Sequence, residues 1–245
     1  MVFTLCRFFG FRQTIQFETV SALLRLGNKY GLAHLEQEAV ARLERLFPSS
    51  LSEFKNGHTD AHSERENIKI FCPDSRIEMV SSDAIEAINL ARAYTIPSIL
   101  PSAFYICSRL PILYLTKGDS NTRGATNVLN PIDLAKCLTG QLELTRRYVV
   151  TTQTLDNEVG HRCDNAADSC IDRTQKIHGI EHRDSVSTRQ SNALGSCLLS
   201  SEWITDDDDC YEICDKCSLK RMELWDELRQ TTWDDLSTIF SLNQS

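Results

Sequence analysis

The sequence predicts a mainly α fold in which antiparallel helix pairs form a small bundle and polar segments form long loops. Apolar residues recur at spacings of three and four in two separate blocks, as they do on amphipathic helices. Alternation typical of a strand is confined to the stretch from Ile68 to Phe71. The composition fits a folded core, because 41% of the 245 residues are hydrophobic.

The first predicted helix pair spans residues 17 to 54, FETVSALLRLGNKYGLAHLEQEAVARLERLFPSSLSEF. Gly31 separates the two helices, since glycine is favoured just beyond a helix C-terminus, and Pro48 ends the pair. The charged residues from Glu36 to Arg45 predict a solvated face with a few i, i+4 ion pairs. The predicted apolar stripe consists of Val20, Leu23, Leu24, Leu26 and Tyr30 in the first helix and Leu32, Leu35, Ala39, Leu43 and Leu46 in the second.

A second helix pair is predicted after the polar loop that follows Phe54. Ser81, Ser82 or Asp83 can cap its first helix, and Glu86 can complete a capping box from Asp83. This helix ends before Pro97, which is a favoured residue in the first turn of the next helix. The apolar residues predicted for the pair are Ala84, Ile85, Ile88, Ala91 and Ala93, followed by Ile99, Leu100, Ala103, Phe104, Ile106 and Cys107.

Further helices are predicted beyond a second polar loop. Asn130 caps a helix with Pro131 in its first turn, and Gly140 marks a kink or a boundary. A last helix, from about Cys214 to Arg229, precedes a short terminal helix, and its aromatic residues predict a small satellite core. These aromatic residues are Trp225, Trp233 and Phe240, and the residues predicted to face inward on the earlier helix are Ile132, Leu134, Ala135 and Leu138.

The charge and the hydropathy of the chain exclude several partners. A net charge of -8 disfavours nonspecific binding to nucleic acid or to an anionic membrane. The apolar residues 1 to 11 lack the basic start and the cleavage site of a signal peptide. The run from Ile96 to Leu115 contains Arg109 and three prolines, so a buried helix explains it better than a bilayer span. We therefore expect an intracellular protein, cytoplasmic or nuclear and not secreted.

Ten cysteines divide into four scattered residues and six that follow residue 160. The scattered ones are expected to be small core hydrophobes. Cys214 and Cys217 have the spacing of half a structural zinc site, because a two-residue gap lets both thiolates reach one ion. We prefer the interpretation that the cysteines after residue 160 bind no metal. The scattered residues are Cys6, Cys72, Cys107 and Cys137, and the residues considered for the rest of a zinc site are His161, Cys163, Cys170 and Cys210.

No complete catalytic constellation is found in the sequence. It contains no phosphate loop and no GxGxxG, HExxH or GxSxG motif. His178 and His182 are interpreted as solvated side chains, and the run from Asp206 to Asp209 as a solvated entry to the last helix. The sequence predicts a non-enzymatic protein without a cofactor, whose partners are proteins.

Two other hypotheses stay open at this point. One is a zinc-stabilised regulatory domain that contacts nucleic acid through Arg146 and Arg147. The other is a truncated gene product without independent activity, because isolated helices would expose apolar surface.

Two segments resemble the helical portion of fungal BTB/POZ-domain proteins: LLRLGNKYGLAHLEQEAVARLERLFPSSLSEF and AIEAINLARAYTIPSILPSAFYIC. Later features of that family are matched by Asp133 to Leu138, by the pair Cys214 and Cys217, and by Leu224-Trp225. The resemblance covers residues 16 to 240. It implies an interaction function, through homodimerisation or through recruitment to cullin-type ubiquitin ligases.

The resemblance also implies how the chain is organised. Residues 1 to 15 do not resemble the BTB core, so we expect a truncated form with the last BTB helices and a BACK-like tail. The predicted regions are an N-terminal extension outside the family at 1–15, a helical BTB-C-terminal or BACK-like region at 16–115, a helical extension at 116–171, a flexible linker at 172–205 and Cys-containing C-terminal helices at 206–245.

Overall fold

The computed structural model describes residues 14–57, 59–60, 69–72, 76–120, 126–160 and 214–243. Helices contain 74% of these residues, so the predicted mainly α class is confirmed. The predicted extension 1–15, except for its last two residues, lies outside the described residues, as does the predicted linker 172–205. Among the described helices, none combines the length and the hydropathy that crossing a bilayer requires.

The chain divides into two compact units, unit 1 (Met1–Ala135) and unit 2 (Lys136–Ser245). The boundary falls inside helix α7, which begins in unit 1 and continues into unit 2. The described helices are α1 (Phe17–Tyr30), α2 (Ala33–Leu46), α3 (Leu51–Gly57), α4 (Asp83–Ala93), a 3-10 turn (Pro97–Ile99), α5 (Leu100–Ser108), α6 (Ile112–Lys117), α7 (Pro131–Gly160), α8 (Asp215–Asp234) and α9 (Leu236–Ile239).

Helices α1 and α2 form the first predicted pair. The two-residue connection between them makes the pair antiparallel, and most of the predicted stripe is buried. At the opposite end from the connection, the rings of Phe17 and Phe47 meet edge to face, with centroids 6.5 Å apart. The buried stripe residues are Val20, Leu23, Leu24, Ala39, Leu43 and Leu46.

Unit 1 also contains a small sheet, of which the sequence analysis found one strand. The predicted strand from Ile68 to Phe71 corresponds to β3, and β3 pairs antiparallel with β4 on one side and with β2 on the other. β1 pairs parallel with β4, which gives the order β1-β4-β3-β2. Two to four residues per strand are too few for a clear alternation. The strands are β1 (Ile15–Gln16), β2 (Thr59–Asp60), β3 (Lys69–Cys72) and β4 (Ile77–Val80), and a separate hairpin is formed by β5 (Asp119–Ser120) and β6 (Thr126–Asn127).

The second predicted pair is formed by α4 and α5, joined through the 3-10 turn that begins at Pro97. α5 is buried over nearly all of its surface, and the ring of Tyr105 packs edge to face on Phe54 with centroids 5.7 Å apart. Cys107 is fully buried, as expected of a small core hydrophobe. The same holds for Cys72 and Cys137, while Cys6 lies outside the described residues.

Helix α7 begins as predicted but turns a different face inward. The side-chain oxygen of Asn130 accepts a hydrogen bond from the backbone N–H of Asp133 at 2.8 Å, and this bond caps the helix. The predicted inward face is wrong, because Ile132 is 69% exposed and Asp133 is 2% exposed. The charged partner of Asp133, described below, explains why the acidic side chain lies inside. Over residues 131–147 of α7, the buried residues are Asp133, Cys137, Gly140 and Leu144.

The predicted aromatic core of the C-terminal region is confirmed within unit 2. Trp233 is 4% exposed and Phe240 is fully buried, whereas Trp225 is half-buried. Gly140 lies inside continuous helix, and a Cβ atom on it would collide with the Phe240 ring. The glycine is therefore explained by the close approach of this aromatic ring.

Candidate interaction surface

Three large apolar side chains are exposed together where α1 turns into α2. Leu26, Tyr30 and Leu32 are 45%, 62% and 39% exposed. Leu26 and Tyr30 are four residues apart and therefore lie on one face of α1. The backbone N–H of Leu32 donates to the carbonyl of Gly27 at 2.8 Å, which keeps this residue next to the last turn of α1. We call these three residues the corner surface.

The backbone of the corner is held by a defined capping motif. Gly31 adopts a left-handed conformation, with φ 66° and ψ 28°, which glycine reaches without steric cost. Its N–H donates to the carbonyl of Asn28, and together with the Leu32–Gly27 bond this makes a Schellman motif. A Cβ atom on Gly27 would lie 2.8 Å from the backbone nitrogen of Glu36, so glycine is needed for the close approach of the two helices.

The corner surface corrects the predicted apolar stripe. Leu26, Tyr30 and Leu32 were all expected to be buried. The buried face of α1 instead runs through Val20, Leu24 and Gly27, and it leaves Leu26 and Tyr30 outside. The predicted solvated face is also wrong at one residue. Arg42 is 4% exposed, and its Nε donates to Glu38 at 2.6 Å, one of the expected i, i+4 pairs.

Basic groups lie beside the apolar corner. The Nζ atom of Lys29 is 5.4 Å from the centre of the Tyr30 ring, a cation–π arrangement. Arg25 extends from the preceding turn and binds the Glu86 carboxylate at 2.9 Å, with half of its side chain exposed. His34, at the start of α2, is also exposed. The corner therefore combines an aromatic ring and aliphatic groups with positive charge.

A buried carboxylate, that of Glu86, lies below the corner in unit 1. Glu86 is 3% exposed and accepts hydrogen bonds from Ser21 Oγ and from Asn127 Nδ2, in addition to its ion pair with Arg25. The predicted capping box is therefore wrong, since the Glu86 carboxylate bonds to other elements and the cap of α4 has no side-chain hydrogen bond. Asp83 instead accepts from the backbone N–H of Val80 at 2.9 Å.

Two more polar side chains of α4 form hydrogen bonds to groups between residues 127 and 133. Asn89 Nδ2 donates to the carbonyl of Val128 at 2.9 Å. Arg92 donates through Nη2 and Nε to the two carboxylate oxygens of Asp133, at 2.8 and 3.3 Å. Glu86, Asn89 and Arg92 are three residues apart, so they lie along one side of α4. The polar groups of Glu86, Asn89 and Arg92 are thus bonded within unit 1.

Unit 2 contains its own ion-pair cluster. Arg146 and Arg147 both donate to Glu143, at 2.7 to 3.0 Å, and Arg147 Nη1 also reaches Asp235 Oδ2 at 2.7 Å. The pKa of Glu143 is lowered to about 2, chiefly by the hydrogen bond from Arg146. Partial burial opposes the lowering, and the hydrogen bond from Arg147 adds to it. The two arginines considered for nucleic-acid contact are thus paired with carboxylates.

Of the cysteines considered for zinc, two lie among the described residues. Cys214 is half-buried and Cys217 is 4% exposed. In the described part of the chain, no group of three or more His, Cys, Asp or Glu residues could hold a metal ion. The remaining residues considered for chemistry lie outside the described residues, namely His161, Cys163, Cys170, His178, His182, Asp206 to Asp209 and Cys210.

Comparison with known proteins gives no relative from which a function could be transferred. No protein-family model, curated protein or solved structure matches this chain.

Proposed function

We propose that this chain is a protein–protein interaction module that binds another polypeptide through the corner surface. The observation that carries the proposal is the joint exposure of Leu26, Tyr30 and Leu32 on a backbone held by a Schellman motif. Tyrosine and leucine side chains supply contact area, and a rigid backbone lowers the entropy lost on binding. The resemblance to the helical portion of BTB/POZ-domain proteins favours the same class of function.

The corner is preferred over the other large apolar side chains that are exposed in the described part of unit 1. Those side chains, Ile112, Leu113, Val128 and Ile132, are distributed over α6, the segment before α7 and the first turn of α7. The corner residues lie within seven consecutive positions and include an aromatic ring beside a cation. Tyrosine is enriched among the residues that dominate binding energy.

A photo-crosslinking experiment tests the proposal. A benzophenone amino acid is placed at Tyr30 and, as a matched control, at Leu142, which is 73% exposed on α7. We expect covalent capture of a defined polypeptide from the Tyr30 position and none of it from the Leu142 position. Sedimentation velocity on the purified chain shows whether that polypeptide is a second copy. Equal capture at both positions would count against the corner surface.

The captured polypeptide then allows a quantitative test. We expect Tyr30→Ser to weaken its binding by roughly tenfold or more, because the side chain lies at the centre of the corner. Leu142→Ser should leave the affinity unchanged. Both substitutions remove exposed side chains, so each should change the free energy of unfolding by less than about 0.5 kcal/mol. A Tyr30→Ser variant that is folded and binds as tightly as the unsubstituted chain would refute the proposed surface.

A further inference from the structure

Two cysteines share the first turn of α8, a 20-residue helix in unit 2. Cys214 is the N-cap residue, with an extended backbone (φ -64°, ψ 150°) and no side-chain capping hydrogen bond. The backbone N–H of Cys217 donates to the carbonyl of Cys214 at 2.9 Å, which closes a single turn between them. Two thiols are thereby held at one end of the helix.

The geometry of this turn suits a disulfide bond. Residues i and i+3 of a hydrogen-bonded turn have Cα atoms less than about 7 Å apart. The Cα atoms of disulfide-bonded cysteines are usually about 4.4–6.8 Å apart. The Cα separation of Cys214 and Cys217 therefore falls within the range that a disulfide bond requires.

The two thiols differ in accessibility. Cys214 is half-buried, whereas Cys217 is 4% exposed, so Cys214 is the more accessible of the two residues. An accessible thiol next to a sheltered one is the arrangement in which the first attacks an external disulfide and the second resolves the product.

We propose that Cys214 and Cys217 form a reversible thiol–disulfide site that reacts with low-molecular-weight disulfides such as oxidised glutathione. The Cys214 thiolate attacks one glutathione sulfur, the glutathione S–S bond breaks, and one glutathione leaves as its thiolate. Cys217 loses its proton and attacks the Cys214 sulfur, which displaces the second glutathione. Two protein thiols are oxidised to one disulfide while one glutathione disulfide is reduced to two thiols.

Peptide mapping tests this site directly. The full-length reduced protein is equilibrated with mixtures of oxidised and reduced glutathione, blocked with an alkylating reagent, unfolded and digested with trypsin. Lys216 lies between the two cysteines, so cleavage there leaves peptides 190–216 and 217–220 joined only through a disulfide. We expect this linked pair to appear as oxidised glutathione increases and to disappear when reduced glutathione is restored. Fragmentation should place the bond on Cys214, although Cys197 and Cys210 lie in the same peptide.

Single substitutions separate the roles of the two thiols. In Cys217→Ser we expect a persistent mixed disulfide with one glutathione on Cys214, because no resolving thiol remains. In Cys214→Ser we expect Cys217 to incorporate no glutathione while the protein stays folded. Cys210→Ser is the matched control and should retain the linked peptides.

Three results would overturn the proposal. The first is a chain that stays reduced at every glutathione ratio. The second is a disulfide from Cys217 to a cysteine other than Cys214. The third is one equivalent of zinc in the reduced protein that is lost in Cys214→Ser, since that result would assign both thiolates to a metal.

Discussion

Each unit contains a glutamate that accepts hydrogen bonds from arginine, but the two carboxylates lie in different surroundings. Glu86 in unit 1 is 3% exposed and is bonded to Ser21, Arg25 and Asn127. The side chain of Glu143 in unit 2 is 29% exposed and is bonded to two neighbouring arginines on its own helix. Similar ion pairs therefore lie at a buried junction in unit 1 and on a helix surface in unit 2.

The exposure of each carboxylate to water determines how much it contributes to the free energy of unfolding. A buried donor that loses its acceptor keeps the cost of desolvation, whereas an exposed donor is solvated again. The polar partners of Glu86 come from two segments of unit 1, α1 and β6, so the carboxylate links both of them to α4. The arginines of Glu143 are three and four residues away on α7, where exposed pairs contribute little.

The largest effect is expected from Glu86→Ala. The substitution leaves Ser21 Oγ and Asn127 Nδ2 without their acceptor and releases Arg25, so we expect a loss of about 3 kcal/mol in the free energy of unfolding. Hydrogen exchange followed by mass spectrometry on peptides from α1 and α4 measures the loss within unit 1.

The matched variant is Glu143→Ala, for which less than about 1 kcal/mol is expected. Tryptophan fluorescence follows unit 2 specifically, because all three tryptophans (Trp203, Trp225 and Trp233) lie there. Equal losses in the two variants would show that burial does not distinguish these carboxylates.

A smaller effect is expected from Gly140→Ala in unit 2. Alanine normally stabilises a helix by about 1 kcal/mol relative to glycine. Here the added Cβ would collide with the buried ring of Phe240, and overpacking of this kind costs about 1–3 kcal/mol. We therefore expect net destabilisation, visible as an earlier urea transition in tryptophan fluorescence.

The double variant Gly140→Ala/Phe240→Ala identifies the cause of that destabilisation. Once the ring is absent, the added methyl group should stabilise α7 relative to Phe240→Ala alone. A Gly140→Ala chain that is more stable than the unsubstituted protein would mean that the ring moves aside at little cost.

The sequence predicted the helices because their signals are local. Gly31 supplied the break between α1 and α2, and Asn130 with Pro131 supplied the start of α7. Apolar spacing alone could not predict that Leu26 and Tyr30 lie outside the buried face of α1. The candidate surface therefore became visible only from the packing of the two helices.

Local sequence patterns also failed to predict the hydrogen-bond partners of buried polar groups. Glu86 was assigned to a capping box because its distance from Asp83 fits one, yet its partners Ser21 and Asn127 are 65 and 41 residues away. Asp133 was likewise missed on the inner face of α7, because Arg92 lies 41 residues before it. Long-range hydrogen bonds of this kind leave no periodic signal.

The smallest effect is the pH dependence of the surface pair. Glu143 has a pKa lowered from 4.5 to about 2, so its folded carboxylate binds a proton less readily than the unfolded one. Its stabilising contribution is therefore fully present above pH 4.5 and is lost as the pH falls towards 2. We expect it to remain below about 1 kcal/mol, since water screens a partly exposed pair.

Two measurements sharpen the contrast with the buried glutamate. Carboxyl NMR should show Glu143 titrating below pH 4.5, and Arg146→Gln should return its midpoint towards 4.5, because that arginine is the main cause of the lowered pKa. The difference in unfolding free energy between the unsubstituted chain and Glu143→Gln should shrink as the pH falls through the same range. A titration midpoint near 4.5 in the unsubstituted chain would mean that the two arginines do not hold this carboxylate in solution. The ion pairs of Glu143 would then contribute nothing to the stability of unit 2, in contrast to the bonds of the buried Glu86 in unit 1.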